Sequence, residues 1–229
     1  MGLIRIAITP RHVRTRDGEF LSIEKKYADF WAKYGYELCL LPFNTNVDIA
    51  AFLKDMGIKG LLIAGGYRNY TEEIREFEYL VISTALQLNL PIFGVCCGLW
   101  SINGYFGGKL RWNEAHSKRN IKFITQYVVK KVQGKKHIPK HTVQIKGVLP
   151  ITEAIVNSYH RKVVDTLGEG LVSFMEASDG EIEAIHNLDK KIIAVQFHLE
   201  HGTCSPELEK AYMDVVKKLV NGEKINLTN

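Results

Sequence analysis

From Leu3 to Phe106 the chain alternates short apolar runs with stretches of helical periodicity, and no other feature constrains its fold as much. Leu3 to Ile8 reads as a strand. From Ser22 a helix puts Ile23, Tyr27, Phe30, Trp31 and Tyr34 on one face, and Gly35 closes it. Tyr36 to Leu41 is the second strand, ended by Pro42, and Ile49, Phe52, Leu53 and Met56 mark a second helix. Ile58 to Ala64 is the third strand and runs into Gly65-Gly66. Thr71 caps a third helix, with Glu72 and Glu73 in its first turn and an end near Asn89. Leu90 to Val95 is a fourth strand, stopped at Cys96, and a helix from about Cys97 to Phe106 follows. Strands alternating with helices over short connections predict an α/β fold. Its core would be an open, mostly parallel twisted sheet with helices on both faces. Apolar runs such as Leu61 to Ala64 fit strands covered on both sides.

After Gly107-Gly108 the pattern changes. Ile121 to Val132 and His141 to Ile145 alternate and are rich in lysine, which predicts an added antiparallel β excursion over residues 121–147. Leu171 to Ala177, Ile182 to His186 and Ile192 to Phe197 read as later strands, and Pro206 starts a final helix through Val220. No boundary divides the 229 residues, so the expectation is a single domain over 1–229. Hydrophobic residues are 46% and charged residues 24%, the balance of a globular chain rather than a disordered one. No apolar run is long enough for a membrane span, and no signal peptide is evident. The expected setting is the cytoplasm with reduced thiols. A net charge of +5 is too small to mark a nucleic-acid binder, but fits an anionic small substrate if the cations gather at one place.

Ligands of open parallel sheets bind beyond the C-terminal ends of the strands. Four segments lie there: Thr9 to Arg16, Gly65 to Tyr70, Cys96-Cys97-Gly98 and His198-Leu199-Glu200. Gly94-Val95-Cys96-Cys97-Gly98 runs from strand to helix through a glycine-flanked turn, a nucleophile elbow with sulfur in place of oxygen. A helix N-terminus at that point lowers a thiol pKa and offers N–H groups to an oxyanion. A pair of buried core cysteines and a vicinal disulfide are the alternatives for Cys96 and Cys97. His198 and Glu200, two apart at a strand end, fall on one side, where the carboxylate can orient the imidazole. His201 permits a metal reading with His198 and Glu200, but no further ligand cluster supports it, so no metal and no organic cofactor are expected.

Four blocks, in order, carry a resemblance to the class I glutamine amidotransferases: Ala64-Gly65-Gly66, Gly94 to Gly98, Val156-Asn157-Ser158-Tyr159-His160 and Val195 to Glu200. The resemblance implies a flavodoxin-like architecture and a Cys96, His198, Glu200 triad. Cys96 would be the nucleophile, His198 the general base and acid, and Glu200 the group that orients it. The backbone N–H groups of Gly66 and Cys97 would form the oxyanion hole. Within the family, the Val156 to His160 block and Val164 to Leu171 resemble the peptidase C26-like branch. Arg11, Gly65, Tyr67, Arg68, Trp100, Asn157, Ser158, Tyr159 and His160 then become candidate substrate contacts. Three positions depart from the family pattern. Trp100 replaces the usual glutamine after the nucleophile, Leu199 replaces the proline between His and Glu, and Tyr67-Arg68-Asn69 stands where an acidic residue is usual. These changes leave the acyl chemistry intact and count against ordinary glutamine recognition.

Cations follow the first strand (Arg11, His12, Arg14 and Arg16), the third strand (Arg68) and the helix after Cys96 (Lys109, Arg111, His116, Lys118 and Arg119), and several of these loops should overlook Cys96. As a group they fit a phosphorylated leaving group, with Trp100, Tyr67 and Trp112 as candidates to stack on a base. That combination resembles the gamma-glutamyl-CDP-amidate hydrolases of capsular phosphoramidate biosynthesis. The implied activity is hydrolysis of a gamma-glutamyl amide through a thioester on Cys96, acting on an anionic gamma-glutamyl substrate. Rival readings are a gamma-glutamyl-gamma-aminobutyrate hydrolase of putrescine catabolism, a glutaminase subunit that feeds ammonia to a synthetase, and an inactive binding module. A homodimer stays open.

Overall fold

The computed structural model describes residues 3–44, 46–66, 71–113 and 140–227. The expected contacts Tyr67 and Arg68, the cations His116, Lys118 and Arg119, and most of the 121–147 excursion lie outside the described residues.

Among the described residues, nine strands form one sheet, in the order β4-β1-β5-β6-β13-β12-β11-β8-β9. They are β1 (Ile4–Ile8), β4 (Tyr36–Leu40), β5 (Ile58–Ile63), β6 (Ile92–Val95), β8 (Lys140–Ile145), β9 (Glu153–Asn157), β11 (Val172–Ala177), β12 (Ile182–Asn187) and β13 (Ile192–Val195). The strands from β4 to β13 run parallel, and those from β12 to β9 continue the sheet antiparallel. The antiparallel part therefore extends the main sheet instead of standing apart from it. Two further ribbons, β2–β3 (Arg11–Thr15 and Gly18–Ser22) and β7–β10 (Lys109–Trp112 and Lys162–Thr166), lie outside that sheet.

Period-two alternation divides the core. Ile6, Ile8, Leu62, Phe93 and Val195 face α1 (Lys25–Lys33) and α5 (Pro206–Val220). Ala7, Leu61, Ile63, Ile92 and Ala194 face α2 (Ile49–Asp55), α3 (Glu72–Gln87) and α4 (Cys97–Tyr105). Burial on both faces is why these strands read as continuous apolar runs. Asp48 caps α2 by accepting from Ala51 N at 3.0 Å, and Thr71 caps α3 by accepting from Ile74 N at 3.3 Å.

The region before α1 differs from the sequence expectation. Ser22 does not open that helix. It ends β3, paired with Arg11, and the helix starts at Lys25 after Glu24. Among the described residues, no helix is long and apolar enough to cross a membrane.

Candidate functional site

β6 and β13 lie side by side and parallel, with Val95 opposite Val195. Their C-terminal ends deliver Cys96 and the His198 loop to the same edge of the sheet. The Cys96 N–H still bonds to Val195 O at 2.8 Å, so the turn starts at the last rung of the ladder. Cys96 itself has φ 52° and ψ −105°, a conformation that costs a non-glycine residue about 1–3 kcal/mol. The flanking glycines make the bend possible. A Cβ on Gly98 would stand 2.1 Å from Ile63 O, and one on Gly94 would stand 2.7 Å from Ile102 Cδ1. α4 therefore sits directly on β5 and β6, with its first turn at the sheet edge.

Gly65 sits between the two halves of the site. A Cβ there would meet Cys96 Cβ at 3.0 Å and His198 Cε1 at 3.0 Å. The nucleophile candidate and the base candidate thus close on one point, and only a hydrogen occupies it. His198 Nδ1 lies 2.5 Å from Glu200 Oε1, and both side chains are buried. Burial pushes the His198 imidazole down, but the charge and hydrogen bond of Glu200 outweigh it and the net direction is up. Burial pushes the Glu200 carboxyl up, but His198 outweighs it and the net direction is down. Both directions describe a held imidazole–carboxylate pair.

Cys96 departs from the expectation of a depressed thiol. Its pKa is pushed well above the ordinary value, first by a hydrogen bond with the Cys97 side chain and then by burial. The backbone hydrogen bond from Cys97 acts the other way and is outweighed. A thiol in this state needs a base to ionise it, and the His198 ring adjoins the same point at Gly65 as the Cys96 Cβ. All four cysteines are free thiols, so Cys96 and Cys97 form no vicinal disulfide.

The Gly65 N–H donates to the Tyr27 hydroxyl at 2.9 Å. The Gly66 N–H bonds to no group among the described residues, while Gly66 O accepts from Arg11 Nη2 at 2.6 Å. Gly66 has φ +94°, which favours glycine, and a Cβ there would fall on the Arg11 guanidinium. Cys97 opens α4 and is the second expected oxyanion donor; in this structure its backbone N–H bonds to the Cys96 sulfur.

Cys96, Cys97, Gly66 and His198 open into a cavity of about 1210 Å³. Of the expected contacts, Arg11, Trp100, Tyr159 and His160 line it. Trp100 Nε1 donates to Gln196 Oε1 at 2.7 Å, and the Tyr159 ring stands edge-on to His198 at 5.7 Å. Asn157 and Ser158 do not line the cavity. Asn157 is fully buried, and its carboxamide is bonded to the backbone of His198.

The expected cations divide. Arg111 is spent on Glu181 at 2.7 Å and Asp165 at 3.5 Å, and the His12 ring packs on Phe43. Neither they nor Arg16 and Lys109 line the cavity, whereas Trp112 does. In their place come Arg75 and Tyr79 from α3 and Arg161 and Lys162 at the start of β10. The arginine and lysine beside His160 were open to a sequence reading, because they follow a matched block directly. Arg75 was not, since only tertiary packing brings α3 to the site. Glu24 is the carboxylate among the described lining residues and holds Arg11 Nη1 at 2.9 Å.

Behind the cavity wall, the buried Glu183 lies 3.0 Å from His141 Nε2 and 3.4 Å from His160 Nε2. Burial pushes its carboxyl up, but the two imidazoles outweigh that and hold it at about 2. His198, Glu200 and His201 offer ligand atoms within 4.8 Å of one another. His198 Nδ1 and Glu200 Oε1 of that group are already joined by the 2.5 Å bond.

The family profile glutamine amidotransferase class-I matches residues 19–214. A glutamine amidotransferase-like protein of Lactococcus lactis subsp. lactis is 36% identical over 86% of this chain and 87% of its own length. The gamma-glutamyl-CDP-amidate hydrolase of Campylobacter jejuni subsp. jejuni is 25% identical over 78% of this chain and 80% of its own. Among solved structures, a glutamine amidotransferase of Thermotoga maritima superposes with a TM-score of 0.59 at 14% identity, covering 95% of this chain and 86% of that one. That likeness carries the α/β flavodoxin-like fold with its extra antiparallel strands.

Proposed function

Because the chain belongs to the glutamine amidotransferase class-I family, we propose that it hydrolyses a gamma-glutamyl amide through a thioester on Cys96, with gamma-glutamyl-CDP-amidate as substrate. The observation that carries this reading is the convergence of Cys96 and the His198–Glu200 pair on Gly65. His198 Nε2 takes the Cys96 proton, and the sulfur attacks the gamma-carbonyl carbon. A C–S bond forms, and the carbonyl oxygen becomes an oxyanion held by the Gly66 and Cys97 N–H groups. The C–N bond then breaks, and the departing nitrogen takes its proton from His198. Water, deprotonated by His198, attacks the thioester, and glutamate leaves as the Cys96 thiol is restored. Glu200 stays ionised throughout and stabilises the imidazolium.

Two observations favour a large anionic leaving group. The cavity exceeds the ~300–1,000 Å³ usual for a drug-sized ligand, so a gamma-glutamyl group alone leaves it underfilled. Arg11, paired with Glu24, Arg75, paired with Glu72, and Arg161 and Lys162 line it, and Trp100, Tyr79 and Trp112 provide aromatic surface. The similarity to a gamma-glutamyl-CDP-amidate hydrolase supports the same reading. The products would be glutamate and cytidine diphosphoramidate, placing the enzyme in capsular polysaccharide modification. The test is glutamate release from a panel of gamma-glutamyl amides. Gamma-glutamyl-CDP-amidate should give the highest kcat/KM, with gamma-glutamyl-gamma-aminobutyrate and glutamine at least about tenfold lower. Preference for the aminobutyrate or for glutamine would refute the leaving-group assignment.

A further inference from the structure

Asn157 ends β9, in the antiparallel part of the sheet, yet its side chain is committed to the loop that follows β13. Its Nδ2 donates to His198 O at 2.7 Å, and its Oδ1 accepts from the His198 N–H at 3.0 Å. One carboxamide thus satisfies both backbone groups of one residue, as a neighbouring strand would, at a point where the chain has left the ladder. The second Nδ2 hydrogen is shared between Thr203 Oγ1 at 2.9 Å and Cys204 Sγ at 3.3 Å. Two residues back on β9, the Ile155 N–H donates to Ser205 Oγ at 2.8 Å and Ile155 O accepts from the Ser205 N–H at 2.9 Å. The loop from His198 to Ser205 is therefore fastened at both ends to β9.

We propose that Asn157 is a positioning residue, which fixes the His198 peptide from the antiparallel edge of the sheet and so sets the approach of the imidazole to Cys96. This rests on the hydrolase reading for its turnover readout only. Cysteine alkylation tests the geometry without it. Several charged or titratable groups face His198. Glu200 and His201 come from its own turn, Cys96 and Cys97 from the elbow, Arg11 from β2 and Tyr159 from the connection after β9. None of them holds the His198 backbone N–H, which Asn157 alone receives among the described residues.

Two variants test the proposal. Asn157→Ala removes both bonds, and kcat should fall about 10–100-fold with KM within about twofold, because a displacement of ~1 Å at the base is enough to cost that much. Asn157→Asp keeps the acceptor for the His198 N–H but sets a carboxylate oxygen against His198 O. Its negative charge favours the imidazolium, so the acid limb of kcat/KM should move up by about one pH unit. The iodoacetamide alkylation rate of Cys96, read by peptide mapping across pH, should show the same displacement. A packing role alone would lower Tm and leave both pH profiles in place. Folded variants with wild-type kcat and unmoved profiles would overturn the proposal, as would a loss confined to KM. If no gamma-glutamyl amide is turned over by the wild type but Cys96 alkylation still follows Asn157, the hydrolase reading fails and the positioning role stands.

Discussion

Replacing Gly65 by alanine adds one methyl group at the point where the candidate machinery closes. The new Cβ would stand 2.9 Å from Val95 O, 3.0 Å from Cys96 Cβ and 3.0 Å from His198 Cε1. Carbon atoms pack best at ~3.5–4.0 Å, so the three neighbours must give way by roughly half an ångström or more. Val95 O belongs to the strand and Cys96 to the strained elbow, and the His198 ring is held by Glu200. Overpacking of this kind costs about 1–3 kcal/mol, a fall in Tm of about 3–10 °C for a chain of this length. The loss of activity should be larger than the loss of stability implies. Forcing His198 and Cys96 apart should lower kcat about 10–100-fold. Calorimetry supplies the first number, and glutamate release together with Cys96 alkylation supplies the second. A Gly65→Ala protein with wild-type turnover and unchanged Tm would refute the reasoning, because Cys96 and His198 could not then both adjoin that point.

Tyr27→Phe removes the acceptor of the Gly65 N–H and leaves a buried donor unpaired, so stability should fall by about 1–3 kcal/mol in a denaturant titration. Glu200→Gln removes the charge that holds His198 up, so burial should prevail. The acid limb of kcat/KM should move to lower pH, with kcat about 10²–10⁴-fold down. The wild-type stability curve should carry both signatures of that pair. The depressed Glu200 contributes above the ordinary 4.5, and that contribution is lost as pH falls through its folded value. The raised His198 contributes below 6.5, and that contribution is lost as pH rises through its folded value. Glu183, held at about 2 against an ordinary 4.5, contributes fully above that ordinary value and progressively less as pH falls toward 2. Glu183→Gln should flatten the acid side of the Tm–pH curve, and an unchanged slope would count against the His141–Glu183–His160 cluster.

The parallel half of the fold was legible because each of its strands is covered on both faces and reads as an unbroken apolar run, as Leu61, Leu62 and Ile63 do. The final helix was legible from Pro206 to Val220 because its apolar face repeats without interruption. The β2–β3 ribbon was not. Val13, Phe20 and Leu21 are exposed there, so no inward-facing pattern marks a strand. β7 and β10 escaped for a related reason. They are short and, among the described residues, pair only with each other, through a register shift near Val164. His198 and Glu200 lie beyond the end of β13, Glu200 in a 3-10 turn, so the strand alternation expected to align them does not operate there, whereas Cys96 could be placed from sequence because it directly follows β6. The role of Asn157 could not, because its partner is 41 residues away and the sequence shows only a polar residue after a strand. Nor could the rise in the Cys96 pKa, which arises chiefly from a neighbouring thiol in a dry turn.

The central claim is that Cys96, activated by His198, is the atom that becomes acylated. Peptide mapping after reaction with diazo-oxo-norleucine, a glutamine-like electrophile, tests it most directly. The account predicts one adduct on Cys96, formed at least as fast in Cys97→Ala, which lacks the thiol that raises the Cys96 pKa, as in the wild type, and far more slowly in His198→Ala. An adduct on Cys97, or labelling of Cys96 that ignores the loss of His198, would contradict it.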